Sequence, residues 1–313
     1  MPTKRSPRKG SLQFWPRKRA SKLLPSVNWN VIHSDKGLKG FICYKVGMAS
    51  AYVKDNTVNS MTLGKKIAIP ITILECPSMK IFSVRFYKNS IVAKEVLNKN
   101  LDKELKKKVK LPKKETEKIE NIKIDDYDDL RIITYSQVKK TGIKKTPDLI
   151  ELDIAGNKEE KFEFIKENLG KELSVLDFFE KGQLVDLRGL TKGKGFSGTV
   201  KRFGIKLKAK KTEKGQRRPG TLGPWHPARV TFRAPQAGQL GMFTRVIYNN
   251  KIIEVGKSEG KFNFIKNYGN VKTNYMLVRG SIQGSSKRQI LITKPVRPTK
   301  KQSKKDFDLI KVI

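Results

Sequence analysis

The sequence predicts a mainly β fold carrying an α/β insertion. Three observations lead there. Short runs rich in β-branched and aromatic residues recur along the 313 residues, with glycine-rich joints between them. Apolar residues at helical spacing appear only between about 90 and 170. The remaining stretches have no periodicity and are densely cationic.

The elements follow in order. Residues 1–30 read as an extended arm, because Ser6-Pro7-Arg8-Lys9-Gly10-Ser11 and Pro16-Arg17-Lys18-Arg19 favour turns over regular structure. Trp15 and Trp29 in this arm either anchor it to the protein body or stack on a base. Gly40–Val53 reads as one or two strands broken at Gly47-Met48. Lys66–Glu75 is a strand whose Pro70 calls for an edge or a bulge. Ile81–Tyr87 alternates as a strand. Val96, Leu97, Leu101, Leu105 and Val109 repeat at helical spacing. Leu130–Tyr135 and Leu149–Ile154 are strands. Phe162, Ile165 and Leu169 suit a helix ended by Gly170, and Ser174 caps a further helical turn stopped by Gly182. Gln183–Leu190, Thr199–Ile205, Phe243–Tyr248, Lys251–Val255, Val271–Val278 and Gln289–Thr293 complete the strands. Many short strands at this spacing suggest a closed barrel or a small sandwich. The expected organisation is an arm (1–30), a discontinuous β core (31–90, 171–205 and 242–313), an α/β insertion (91–170) and a basic loop (206–241).

Charge narrows the function classes. The chain carries a formal net charge of +39. Residues 4–22 hold eight Lys or Arg and no acid, whereas 21 of the 29 acids fall between Glu95 and Asp186. From Lys206 to Arg233 there are nine Lys or Arg and one acid, Glu213; the stretch from Lys294 to Lys305 is basic again. One such run alone is equally compatible with a solvated face or a disordered tail. Three in one chain point to a shared polyanion, neutralised with release of counterions. A run of about 18 apolar residues, which a membrane span needs, is absent from the sequence. Met1–Ser11 holds no apolar signal segment, so a cytosolic address is expected. Two cysteines, Cys43 and Cys76, are too few for a disulfide framework or a metal cage.

Motifs of enzymes fail one by one. Gly193-Lys194-Gly195-Phe196-Ser197-Gly198 fits G-x-G-x-x-G, but a strand rather than a helix is expected next, and the stretch about twenty residues on is basic, with Glu213 its one acid. The glycines read better as a tight loop that lets the backbone approach a phosphate chain, with Lys192 and Lys194 alongside. Gly256-Lys257-Ser258 echoes a P-loop, but residue 251 is Lys where glycine is required. His33 and His226 are the only histidines. His226 is expected to donate a hydrogen bond to backbone or nucleic acid rather than to act as a base. Asp125-Asp126 with Asp128-Asp129 reads as a solvent-facing loop. No catalytic set, cofactor site, metal site or small-molecule substrate is expected.

The loop 206–241 remains. Its prolines (219, 224, 227, 235) and glycines (215, 220, 223, 238, 241) suit a long irregular excursion, and a loop of that length argues for a function or a partner. Arg217, Arg218, Arg229 and Arg233 can grip phosphates bidentately, and Trp225 can stack on an exposed base. An irregular probe suits folded RNA better than duplex DNA.

At these residues the chain resembles the universal large-subunit ribosomal protein L three family, archaeal/eukaryotic branch. Pro7-Arg8-Lys9-Gly10-Ser11-Leu12 and Pro16-Arg17-Lys18-Arg19-Ala20 are similar to its opening arm. Tyr44-Lys45-Val46-Gly47-Met48 resembles its first barrel strand. Thr191-Lys192-Gly193-Lys194-Gly195-Phe196, Trp225-His226-Pro227-Ala228-Arg229-Val230 and Ala237-Gly238-Gln239-Leu240-Gly241 match the entry, tip and return of its finger. Gly280-Ser281-Ile282-Gln283-Gly284 with Lys287-Arg288 resembles a late turn. Phe14-Trp15 stands where a smaller apolar pair is usual.

The resemblance implies a translation-protein-type β-barrel core with an α/β insertion, a long basic finger loop and an extended N-terminal arm. It implies a structural, non-enzymatic role in the cytoplasmic large ribosomal subunit, in assembly and in bracing RNA near the peptidyl-transferase region. The implied partners are large-subunit ribosomal RNA and other large-subunit proteins. The expected RNA-binding residues are Arg5, Arg8, Lys9, Arg17, Lys18, Arg19, Lys192, Lys194, Lys201, Arg202, Arg217, Arg218, Trp225, His226, Arg229, Arg233, Gln239, Lys287 and Arg288. The rivals are an RNA-processing or RNA-modifying enzyme with a basic surface, and a free translation factor with a similar barrel. Against the first stands the missing catalytic set, and against the second the broken P-loop.

Overall fold

A computed structural model describes residues 7–34, 37–112, 119 and 122–313. The strands are β1 (Gly40–Asp55), β2 (Lys66–Cys76), β3 (Met79–Lys88), β4 (Ile91–Leu97), β5 (Asp129–Ser136), β6 (Leu149–Asp153), β7 (Leu184–Leu190), β8 (Phe196–Ser197), β9 (Gly238–Gln239), β10 (Thr244–Lys257), β11 (Asn274–Arg279), β12 (Gln289–Thr293) and β13 (Phe307–Val312). Helices are few and short: α1 (Lys158–Asn168), α2 (Thr199–Phe203) and α3 (Lys300–Ser303). The fold is mainly β. It divides into two units: the N-terminal segment through Lys22 with Leu190–Thr244, and Leu23–Gly189 with Arg245–Ile313.

The larger unit is organised by β1. Six strands hydrogen-bond in the order β12-β7-β10-β11-β2-β1, and β1 also pairs with β12, so the circuit closes into a ring; β13 joins β1 as a seventh strand. β1 achieves this by its length. Its first residues, Gly40–Tyr44, pair with Thr293–Gln289, and its last, Ala51–Asp55, pair with Val312–Phe307, while β2 runs along the other side. Gly47-Met48 does not break the strand. The register with β2 instead shifts between Lys45 and Gly47, a bulge that adds twist to a strand otherwise too long to curve. Pro70 sits where β11 has ended at the Arg279–Ile71 pair; the side of β2 on which it lacks an N–H is locally an edge. Its carbonyl accepts from Gly280 N–H (2.8 Å).

Several boundaries differ from the sequence reading. The two expected strands 243–248 and 251–255 form the single β10, turned at Asn249 (φ +56°), whose N–H donates to Asp186 Oδ1 (2.8 Å). The strand expected from Val271 begins at Asn274. β13 was not foreseen, although Phe307, Leu309 and Val312 pack on the core around Val53 and Ile69. The helical spacing of 96–109 was misleading. Val96 and Leu97 end β4, and only a 3-10 turn, Lys103–Lys107, follows. Leu101, Leu105 and Val109 bury instead against Phe82 and Tyr135, so a wrapping loop produced a spacing that reads as a helix.

β3, placed by its position among the core strands, belongs to a second sheet ordered β4-β3-β5-β6. α1 packs here as expected. Asn157 and Glu160 form its capping box, Phe162 and Ile165 are buried, and Gly170 (φ +82°) takes the left-handed conformation just beyond its end. The Ser174 cap is also present, its Oγ accepting from Leu176 N–H. Ring and second sheet share a core. Phe41, Ile42, Val84, Phe86, Ile132, Phe162 and Ile165 belong to one buried cluster, which also takes in Trp29, at 2% exposure, so that this indole is an anchor.

Several acids of this unit are paired inside it. Asp153, 2% exposed, accepts from Lys39 and Lys161 (2.7 Å for the latter), and Lys161 also reaches Asp129. The acidic cluster 125–129 is therefore only partly solvent-facing, since Asp129 is half-buried in this pairing. Glu75, fully buried, accepts from Lys272 N–H, Thr273 N–H and the Tyr268 hydroxyl. Cys43 and Cys76 are buried free thiols. Among the described residues no helix is long and apolar enough to cross a membrane.

Two predictions follow from this pairing. Asp153→Asn leaves the largely buried Lys39 ammonium without its carboxylate and Lys161 with Asp129 alone, and should cost about 3–5 kcal/mol of stability in urea unfolding of the full chain, with an unchanged denaturant slope. The second concerns acid. Hydrogen bonds from Thr57 and then Thr62 hold Asp55 well below the usual carboxylate range. Burial pushes Asp129 and Glu151 upward, but Lys161 on the first, and Tyr87, Arg85 and Arg131 on the second, bring both below their ordinary values. Folded values below unfolded ones give stabilisation that is complete above the unfolded values and lost as pH falls through the folded ones. The urea midpoint should thus hold steady from pH 7 to about 5 and fall below about pH 4.

Candidate nucleic-acid interface

The smaller unit solves an unusual problem. From Leu190 to Thr244 it has thirteen Lys or Arg and one acid, Glu213, and the arm through Lys22 adds more cations and no acid. Carboxylates cannot hold it together, so backbone carbonyls and rings do.

Arg202 is the centre. It extends from α2, a single helical turn, and is half-buried. Its Nε donates to Gln239 O (2.9 Å), Nη1 to Gln236 O (2.9 Å) and Nη2 to Arg17 O (3.4 Å). Arg17 returns the contact, donating from Nη1 to Arg202 O (3.0 Å), and its guanidinium lies over the Phe203 ring at 4.2 Å. Burial lowers the Arg202 pKa, and the planar group stays charged because an arginine starts so high. Trp15 stacks on Phe203 (centroids 6.1 Å), meets Phe232 edge-on (5.7 Å) and donates from Nε1 to Ser11 O (2.7 Å). Trp15 is therefore an anchor, the first of its two expected roles. Arg8 Nη2 donates to Arg233 O (3.0 Å). The arm is stitched to this unit along much of its length.

The segment after the glycine loop 193–198 corrects one expectation. The strand expected over Thr199–Ile205 is α2, begun at Gly198 and stopped by Gly204 (φ +65°). β8, just before it, pairs antiparallel with β9 and is no part of a parallel βαβ unit, so the dinucleotide reading still fails. Gly193 and Lys192 are met by the returning chain at Gly241, whereas a Cβ on Gly195 or Gly198 would meet nothing within 4 Å. A Cβ on Gly241 (φ +82°) would lie 2.0 Å from Lys192 O, and Lys194 N–H donates to Leu240 O (2.9 Å). Gln239 is half-buried, its Nε2 donating to Leu240 O and Gly241 O (both 3.1 Å).

Beyond Phe203 the chain has no helix or strand until Gly238. Local turns shape it: Lys208 N–H donates to Gln216 O (3.1 Å) and Ala234 N–H to Thr231 O (3.1 Å). Trp225 is 87% exposed, and His226, Arg217, Arg218, Arg229 and Arg233 are exposed around it or along the same excursion. Lys9, Lys18, Arg19, Lys192, Lys194 and Lys201 are exposed on this unit as well. The expected residues therefore divide. Arg17, Arg202 and Gln239 are turned inward and position the backbone, Arg8 is exposed but also braces a carbonyl, and the other residues just named face solvent. Lys287 and Arg288 lie on the larger unit, in the turn between β11 and β12, where Lys287 N–H donates to Lys45 O (2.7 Å). Arg5 lies outside the described residues. The sequence reading passed over Phe232 (63% exposed) and Phe196 (81% exposed). An aromatic residue in an acid-poor run was the available signal, and it was applied only to tryptophan.

A smooth-cored β unit, together with an irregular unit that displays cations and flat rings on a carbonyl-braced backbone, defines a class: the basic β proteins that hold a polyanion through extended segments. Comparison with known proteins makes the class specific. A family model described as Ribosomal protein L3 matches residues 1–311, and the chain belongs to that family. It is 39% identical over 308 residues to large ribosomal subunit protein uL3 of Methanocaldococcus jannaschii, covering 93% of this chain and 92% of that one. It is 40% identical over 309 residues to uL3 of Archaeoglobus fulgidus (94% and 93%) and 39% over 313 to uL3 of Thermoplasma acidophilum (95% and 93%).

Arg202→Lys removes three carbonyl-directed donors that an ammonium cannot reproduce in a plane. Amide exchange at Lys194 and Leu240 should speed up about tenfold or more in the free chain. Arg217→Ala, at an exposed guanidinium, should leave those amides unchanged.

Proposed function

We propose that this structural constituent of the large ribosomal subunit works by laying its arm and its 206–241 finger into large-subunit ribosomal RNA. The family is one of structural proteins of that cytoplasmic particle, not of enzymes. The observation that carries the proposal is the division inside the smaller unit: inward-facing arginines brace a backbone from which Trp225 and a fringe of cations project.

The chemistry runs in two steps. Exposed Lys and Arg neutralise phosphates and release counterions, which supplies affinity without sequence preference. Trp225 then stacks on a splayed base, worth roughly 1–3 kcal/mol, and fixes the register. Arg217, Arg218, Arg229 and Arg233 clamp the flanking phosphates. Arg17, Arg202 and Gln239 act by positioning. The six-strand ring is read as the translation-protein-type barrel, the second sheet with α1 as the α/β insertion, and the finger tip as the part that braces RNA near the peptidyl-transferase region. Other large-subunit proteins complete its neighbourhood.

Two experiments test this. Binding of the full chain to a large-subunit ribosomal RNA should weaken steeply with salt, and Arg218→Ala should shrink the slope by about one phosphate. A slope near zero would reject the polyanion reading. Chemical probing of subunits carrying Trp225→Ala should show new reactivity at a few peptidyl-transferase nucleotides, while subunit yield is retained. An unchanged probing pattern would remove Trp225 from the tip role.

A further inference from the structure

The connection from β10 to β11 contains a residue that violates two rules at once. Phe264 is 90% exposed and has φ +55°. A bulky side chain is disfavoured in the left-handed region, which glycine and asparagine enter readily, and an exposed phenyl ring forgoes burial.

Nothing about the loop is loose. Phe262 meets Tyr275 edge-on (4.9 Å), and Ile265, Tyr268 and Val271 pack with the core around Val46 and Ile73. The Tyr268 hydroxyl donates to buried Glu75. Phe264 N–H donates to Asn270 Oδ1 (2.9 Å), Ile265 N–H to Gly269 O (3.0 Å) and Val271 N–H to Phe262 O (3.0 Å). Its neighbours are tied inward while the left-handed backbone turns the one ring outward. At Asn267 (φ +65°) the same conformation is taken by a residue suited to it. Glu259 (φ +37°) in the same connection also leaves the usual region, but Phe264 alone joins that backbone to an exposed large apolar side chain, a combination that marks a functional position.

The surroundings say what the ring receives. Between Lys257 and Lys272 there are four lysines and one acid, and Asn263, whose Nδ2 donates to Gly260 O (2.9 Å), and Asn267 are exposed in the same loop as the ring. A flat apolar face beside amide donors and acceptors, in a cationic loop, matches an unstacked base: the ring takes its face, the amides its edge and the lysines its phosphates. A protein pocket also accepts a phenyl ring; it is the four lysines set against one acid that favour an anionic partner.

We infer that Phe264 is a second base-stacking contact with single-stranded ribosomal RNA, on the larger unit and independent of Trp225. The inference rests on the chain residing in a ribosomal particle.

The test uses assembled large subunits. A photoreactive phenylalanine analogue at position 264 should crosslink to RNA; a crosslink to protein, or none to RNA, overturns the inference. In chemical probing, Phe264→Leu should raise reactivity about fivefold or more at one or a few unpaired nucleotides. Those nucleotides should differ from the ones exposed by Trp225→Ala, and Phe264→Tyr should keep them protected. Protection that survives in Phe264→Leu shows that flatness is irrelevant and overturns it. Phe264→Asn, which suits the backbone, should leave the free chain's Tm unchanged or higher while losing the RNA protection. A lowered Tm shows that the ring packs on its own protein and overturns it. If unsubstituted chain fails to enter subunits at all, the parent reading falls with it; if it enters and position 264 changes nothing, only this inference falls.

Discussion

Scarcity of carboxylate governs this structure. With 68 basic residues and 29 acids, the chain cannot pair its cations generally. It concentrates acids where a dry core needs them. Asp153, Asp129 and Glu151 hold Lys39, Lys161, Arg85 and Arg131 around the second sheet. Where acids are missing, carbonyl oxygens serve, and Arg202 and Arg17 show how. A guanidinium with several donors in one plane can tie separate backbone segments together without neutralising anything. The smaller unit therefore has local order and keeps its charge.

That arrangement separates two kinds of arginine that composition makes look alike. Inward guanidiniums spend their donors on carbonyls and are half-buried, whereas outward ones remain in solvent. Trp15 and Trp225 divide in the same way. One indole is fixed between Phe203 and Phe232, and the other stands 87% exposed. A long loop that is to bind a partner needs both kinds, since an unbraced loop would lose conformational entropy on every contact it made.

The ring of the larger unit depends on the bulge in β1. Without the register shift after Lys45, a sixteen-residue strand could not serve β12 at one end and β13 at the other while keeping its apolar residues inward. The same unit presents Phe264 on a loop whose other large side chains are tied to the core. A recognition residue can thus be mounted on rigid framework as well as on the finger.

Much of this was legible in the linear chain, for physical reasons. Strand periodicity, the cap at Ser174 and the glycine at 170 act over a few residues, so they can be read locally. The family was carried by motifs such as Trp225-His226-Pro227-Ala228-Arg229-Val230, and the cationic runs by composition alone. What the sequence could not decide is which partner each group finds. The spacing of 96–109 imitated a helix because a loop wrapping Phe82 and Tyr135 buries residues at similar intervals. Thr199–Phe203 became a helical turn between two glycines, despite three β-favouring residues, Thr199, Val200 and Phe203. β3 joined the second sheet, and Arg202 turned inward to three carbonyls, through contacts that reach across up to 185 residues of chain. Local chemistry specifies which groups are available; only the folded backbone brings distant carbonyls, rings and cations within bonding range.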